Sequence, residues 1–147
     1  MSASATSAEG PLILHATCVA AHGHGLLILG PSGAGKSALA LQMMAMGARL
    51  VADDRTEVTA TDQGLAARCP AAIRGRIEAR GIGLLRADPL DQAPLALVAD
   101  LGKEETDRLP PRRMITILGQ GLPLVLGRRD NHFPAALMVY LQGGRQD

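Results

Sequence analysis

Three groups of residues in this sequence have the types and spacing that phosphate chemistry needs. The first is Gly30-Pro31-Ser32-Gly33-Ala34-Gly35-Lys36-Ser37, which fits the G-x-x-x-x-G-K-[ST] phosphate-binding pattern. Glycines permit the backbone angles that aim successive N–H groups inward, and side chains there would block phosphate oxygens from reaching them. A helix starting at the end of the loop adds unpaired N–H groups and positive dipole charge. Lys36 is placed to reach the outer phosphates, and the Ser37 hydroxyl to ligate Mg²⁺. Nucleotide binding follows from the motif and its setting between an apolar strand and a helix.

Such a loop needs a carboxylate near the metal, commonly at the end of a neighbouring apolar strand. Arg49-Leu50-Val51-Ala52-Asp53-Asp54 supplies two adjacent ones, directly after the expected phosphate helix. Successive strand residues point opposite ways, so one can face the outer phosphate while the other holds metal or structure. Leu95-Ala96-Leu97-Val98-Ala99-Asp100 also qualifies, although Gly102 follows and Asp100 reads as a strand exit. The third group, Arg74-Gly75-Arg76-Ile77-Glu78-Ala79-Arg80-Gly81-Ile82-Gly83, alternates charges with Gly and Ile. By itself it reads as a surface strand of mixed charge.

The elements that position these groups can be traced along the chain. Residues 12–19 are strand-like, His22 to Gly25 form a turn, and Leu26 to Leu29 suit a strand buried on both faces. Ser37 to Met46 form a helix ending at Gly47, and Arg49 to Ala52 form the next strand. This strand–loop–helix–strand unit is expected to pair its two strands in one sheet. Thr56–Ala60 and Leu65–Arg68 read as a hairpin, and Leu95–Leu101, Ile115–Leu118 and Leu122–Leu126 as further strands. Phe133 to Gln142 reads as a closing helix, and Pro110-Pro111 marks a loop. The fold class is α/β: a P-loop NTPase-like sheet with flanking helices, a single domain over residues 11–147 after a flexible tail over 1–10.

Composition narrows the function. The 147 residues are 47% hydrophobic, enough for one globular core. Fifteen Lys and Arg balance 14 Asp and Glu, and aromatics are only 1%. There is no bulk field for nucleic acid or membrane, and no stacking platform for single strands. The chain lacks a signal-like start and a membrane-length apolar run, so a soluble cytoplasmic protein is expected. Cys18 and Cys69 share no metal-type spacing. One of only two lysines, Lys36, sits in the loop.

Taken together, Leu14-His15-Ala16-Thr17-Cys18-Val19, the loop at 30–37, Leu50-Val51-Ala52-Asp53-Asp54-Arg55 and Glu78-Ala79-Arg80-Gly81-Ile82-Gly83 resemble the catalytic domain of HPr kinase/phosphorylase. The order and intervals match from His15 to Glu78. The resemblance implies an ATP- and Mg²⁺-dependent serine kinase, working also in reverse, on an HPr-like carrier of a bacterial phosphotransferase system. It implies Asp53 as the acid/base with Asp54 beside it, and His15 as an active-site histidine near the carboxylate. Ser37 and Glu78 become Mg²⁺ ligands, and a homo-oligomer, a hexamer, is implied. From the residues alone, His15 reads as a packed strand histidine.

The sequence also departs from that pattern. The family's longer members carry a separate N-terminal domain, so a short form is expected here. After Gly83 they carry a glycine-rich loop that contacts the protein substrate, where this chain has Leu84-Leu85-Arg86-Ala87-Asp88-Pro89. Two rivals therefore stay open. One is a P-loop kinase of a small molecule, with Arg108, Arg112 and Arg113 as an arginine lid. The other is a nucleotide-sensing module without transfer activity.

Overall fold

The computed structural model describes residues 11–147, and the flexible tail expected over residues 1–10 lies outside them. The chain opens with strands β1 (Leu12–Leu14), β2 (Thr17–Ala21) and β3 (His24–Leu29), then helix α1 (Lys36–Ala45) and β4 (Arg49–Ala52). A hairpin of β5 (Thr56–Thr61) and β6 (Gly64–Arg68) leads through a 3₁₀ turn to a second hairpin, β7 (Arg76–Ala79) and β8 (Gly83–Arg86). The long β9 (Gln92–Glu104), the hairpin β10 (Arg113–Ile117) and β11 (Gln120–Gly127), and helix α2 (Phe133–Gly143) complete it. No helix among the described residues is long and apolar enough to cross a membrane.

Nine strands form one curled sheet, and β7–β8 stand apart as their own small sheet. The central strands β3, β9 and β11 run parallel, the arrangement the apolar run at 26–29 implies. The two strands flanking α1 do share a sheet, but they do not pair with each other. β2 lies between β3 and β4, antiparallel to both. The cause is local. His22 (φ 55°) and Gly23 (φ 78°) make a two-residue turn with both residues left-handed, the geometry that folds β2 directly back on β3. β4 can then dock only on the other edge of β2, whose five small residues are all buried. The strand expected over 12–19 is likewise split, with His15 and Ala16 turning the chain between β1 and β2.

β9 is 13 residues long and serves two regions of the sheet. Gln92–Pro94 pair with β6, and from Val98 the strand pairs with β11. Gly25 lies opposite Leu95 while Leu26 lies opposite Leu97, so Ala96 is the extra residue of a bulge. That bulge switches which residues face which core. Ala93, Leu95 and Val98 join Leu27, Cys18 and Val58 on one side, while Leu97 and Ala99 join Leu26, Ile28 and the helices on the other. Burial pushes the Cys18 thiol up to about 12, so it is an inert packing group. Cys69 is only half-buried and is also unpaired.

Ile77 is the anchor of the β7–β8 hairpin. It is 1% exposed and packs with Leu39, Ala40 and Met43 of α1. Removing its side chain opens a cavity between the hairpin and α1. Ile77→Ala is expected to lower unfolding free energy by about 2–5 kcal/mol, read from urea denaturation. An unchanged midpoint would mean that the hairpin is not held by this contact.

Candidate active site

The loop at 30–37 runs from the C-terminal end of β3 into the first turn of α1. Gly33 (φ 85°) and Gly35 (φ 98°) hold left-handed backbone, which no Cβ-bearing residue would adopt there without strain. No side chain caps the N-terminus of α1, and its first turn has no acidic residue, which leaves those amides available to an anion. Lys36 is 7% exposed, and its Nζ donates to the carbonyls of Gly30 (2.7 Å) and Pro31 (3.3 Å). The ammonium is thus held over the loop by backbone oxygens.

Asp53 and Asp54 leave the end of β4 in different directions. Asp53 is the hub of a network: its Oδ1 accepts from Ser37 Oγ (2.6 Å) and Thr17 Oγ1 (3.0 Å), and its Oδ2 accepts from the Glu78 N–H (3.0 Å). One carboxylate therefore ties α1, β2 and β7 together. Asp54 sits in a tight three-residue turn, with φ 71° and Arg55 N–H donating to the Asp53 carbonyl at 2.8 Å. Such a turn is rare and strained, and strain of this kind collects at functional sites. It swings the Asp54 carboxylate outward, where Oδ1 lies 2.5 Å from His15 Nε2. An ionised carboxylate only accepts, so the imidazole N–H is the donor.

Thr17 is the residue that sequence reasoning passed over. It is fully buried, donates to Asp53 and accepts from the Asp54 N–H at 3.2 Å, so a single hydroxyl fixes both aspartates. The available signal was a lone hydroxyl in an otherwise apolar strand, since a buried hydroxyl must find partners.

Lys36, Ser37, Asp54, Glu78 and Arg80 line one cleft of about 480 Å³, with Leu41 and Ile82 as apolar walls. The third sequence group thus enters the site as a hairpin edge over the phosphate loop. Among the described residues no three His, Cys, Asp or Glu side chains gather into a metal cage. The Ser37 hydroxyl and the Glu78 carboxylate, which line the same cleft, form an all-oxygen donor set. Such a set suits Mg²⁺, which usually takes one or two protein carboxylates and completes its shell with water and phosphate.

Other expected residues lie elsewhere. Asp100 Oδ1 accepts from the Gly102 N–H (2.8 Å), as a strand exit does. Arg113 grips the buried Glu105 with two hydrogen bonds (2.9 and 3.0 Å), and Arg112 Nε donates to the Asp147 carbonyl (2.8 Å). Among the described residues neither they nor Arg108 line this cleft; Arg108 and Arg113 line a separate one beside Glu105 and Arg128. His24 Nδ1 bonds the Leu141 carbonyl at 2.6 Å and fastens β3 to α2.

Comparison with known proteins gives consistent results. The family model described as HPr serine kinase C-terminal domain matches residues 8–90, a span that includes the loop, both aspartates and Glu78. The HPr kinase/phosphorylase of Limosilactobacillus reuteri is 45% identical over 78 residues, covering 52% of this chain and 24% of that protein. That of an Exiguobacterium species is 47% identical over 73 residues, covering 49% of this chain and 24% of its own length. The match therefore spans about a quarter of the length of these curated relatives. The solved structure of the Hpr(Ser) kinase/phosphatase from Coxiella burnetii superposes with a TM-score of 0.75 at 23% identity, covering 89% of this chain and 88% of that one. At that identity the likeness is one of fold.

Proposed function

The chain belongs to the HPr serine kinase C-terminal domain family, and we propose that it transfers the γ-phosphoryl group of ATP to a serine hydroxyl of an HPr-like phosphocarrier protein in the cytoplasm. The observation that carries this reading is the single cleft in which Lys36, Ser37, Asp54 and Glu78 converge. Loop amides and Lys36 hold the phosphates, Lys36 exchanging the Gly30 and Pro31 carbonyls for phosphate oxygens. Mg²⁺, held by Ser37 and Glu78 when bound, neutralises phosphate charge. The serine oxygen forms a bond to the γ-phosphorus, the bond to the β–γ bridging oxygen breaks, and ADP leaves.

The base in this reading is Asp54, an exchange of roles from the expectation that placed it on Asp53. All three donors around Asp53 are already satisfied by its two oxygens, and moving it would release Ser37 and Glu78. Asp54 is exposed and faces the cleft, with its second oxygen open to an incoming hydroxyl. His15 orients it. In reverse, inorganic phosphate on the loop attacks phosphoserine, pyrophosphate forms, and Asp54 returns the proton to the departing serine oxygen.

Incubating the chain with Mg·ATP and phosphocarriers, with sugars, or alone tests the reading through ADP release. Release that depends on a phosphocarrier supports it. Release with a sugar alone favours small-molecule phosphorylation, and nucleotide binding with no release in any mixture favours a sensor.

Assembly with further copies belongs to the same proposal. Leu109, Met114 and Val139 are 72%, 62% and 67% exposed, apolar surface of the kind that subunit contacts cover. Sedimentation at micromolar concentration is expected to show an oligomer, and a monomer alone would reject it.

A further inference from the structure

The phosphate loop has two open flanks. Lys36, Ser37, Asp54 and Glu78 all face the cleft described above, and none of them lines a second cleft of about 800 Å³ on the opposite flank. The two clefts share Gly33, Gly35, Ala38 and Gln42, so the exposed loop amides form the ridge between them. The far wall of the larger cleft comes from the C-terminal ends of β9 and β11 and the start of α2, with Lys103, Arg129, Asn131 and Phe133.

These walls differ in character from the first cleft. Phe133 is half-buried and packed against the core beneath the helices, which gives the cleft a fixed apolar side. Arg128 is committed, with two hydrogen bonds to Asp130 (2.9 and 2.6 Å) and one to the Glu105 carbonyl (3.0 Å). Its neighbour Arg129 is exposed and makes no ion pair among the described residues. Both carboxylates on this side are accounted for without chemistry, since Asp130 pairs with Arg128 and Glu104 is an exposed strand end.

A phosphate-loop lysine and hydroxyl take the outer phosphates and the metal, so the triphosphate points its γ end toward Lys36 and Ser37. The rest of the molecule must leave across Gly33 and Gly35 on the other flank. Resting on the kinase reading above, we infer that the larger cleft is the nucleoside subsite. Phe133 supplies the apolar wall for the flat base, the Arg129 guanidinium stacks on its other face, and Asn131 and Gln42 bond the ribose and base edges. Its volume falls within the roughly 300–1,000 Å³ common for small-molecule sites.

The test separates nucleoside from phosphate. Binding of Mg·ATP and of Mg·tripolyphosphate is measured by calorimetry for the full chain, for Arg129→Ala and for Phe133→Leu, which keeps an apolar side chain in the packed position. Each variant is expected to lose about tenfold or more in ATP affinity while tripolyphosphate binding stays within about twofold. Equal losses for both ligands would mean that these residues read phosphate, and unchanged ATP binding would put the nucleoside elsewhere; either overturns the subsite. A parent chain that binds neither ligand overturns the phosphate-loop reading itself, and the subsite with it. As a second measurement, an azido-adenine ATP analogue is photolysed on the parent chain. Label on residues 101–104 or 127–134 supports the assignment, and label on the β7–β8 hairpin contradicts it.

Discussion

Asp54→Asn is expected to bind Mg·ATP as the parent does and to lose about 10²- to 10⁴-fold in kcat, the scale on which a positioned acid/base acts. The loss should appear in both directions, because one group that takes the serine proton going forward must return it in reverse. The substitution is clean for a structural reason. Asp54 occupies left-handed backbone at φ 71°, and asparagine is among the few residues that tolerate it, so the turn survives. The amide still bonds His15 but no longer accepts a proton. Asp53→Asn should behave differently. With its oxygen kept on Ser37 and Thr17, the amide turns its nitrogen to the Glu78 N–H, a donor it cannot accept from, so the bond that holds β7 to Asp53 is lost at about 1 kcal/mol. Its signature is a raised KM for Mg·ATP and a higher Mg²⁺ requirement. If instead Asp53→Asn kept its KM and lost kcat, and Asp54→Asn kept near-parental activity, the two roles would have to be exchanged again.

Lys36→Ala should weaken Mg·ATP binding by about 10²-fold or more. Two hydrogen bonds from a charged donor contribute about 1.5–3 kcal/mol each, and each 1.4 kcal/mol is about tenfold in affinity. The fold should persist. What the lysine holds in the free protein are two loop carbonyls, of Gly30 and Pro31, which water at the mouth of the cleft can satisfy. Calorimetry gives the affinity and circular dichroism the fold. Parental affinity in the variant would remove the phosphate loop from the account.

The geometry of the glycine loop was legible in the sequence because that geometry is local. Gly33, Gly35 and Lys36 do their work within a few residues of one another, and the spacing alone encodes the backbone geometry. The helix end at Gly47 and the β5–β6 hairpin were legible for the same reason. Strand pairing was not. Nothing in Thr17-Cys18-Val19-Ala20-Ala21 marks its partner, and only the two left-handed residues at its end force it between β3 and β4. β9 runs through Pro94, a residue that ordinarily ends a strand, and its bulge at Ala96 reverses the facing that simple alternation predicts.

The site shows the same division. Asp53 and Asp54 were identifiable as a pair, but both lie beyond the end of β4, and the turn at Asp54 rather than strand alternation sends their carboxylates apart. Which one is bound up and which is open depends on Thr17, 36 residues before Asp53, and on a turn at Asp54 that the residue type permits but does not announce. The hairpin carrying Glu78 read as a charged surface strand, since its buried apolar residues on β7, Ile77 and the small Ala79, are too few for periodicity to register. The resemblance brought Glu78 into the site, and the Asp53–Glu78 backbone bond gives the physical means.

The central claim is that this cleft moves phosphate from a nucleotide to a protein serine. Its most direct test is a single-turnover reaction with γ-labelled Mg·ATP and a purified HPr-like phosphocarrier, run beside the same carrier with its acceptor serine replaced by alanine. The account predicts label on the seryl residue of the first, none on the second, and about a hundredfold slower transfer with Asp54→Asn. Bound and intact ATP with no label on any carrier would contradict it.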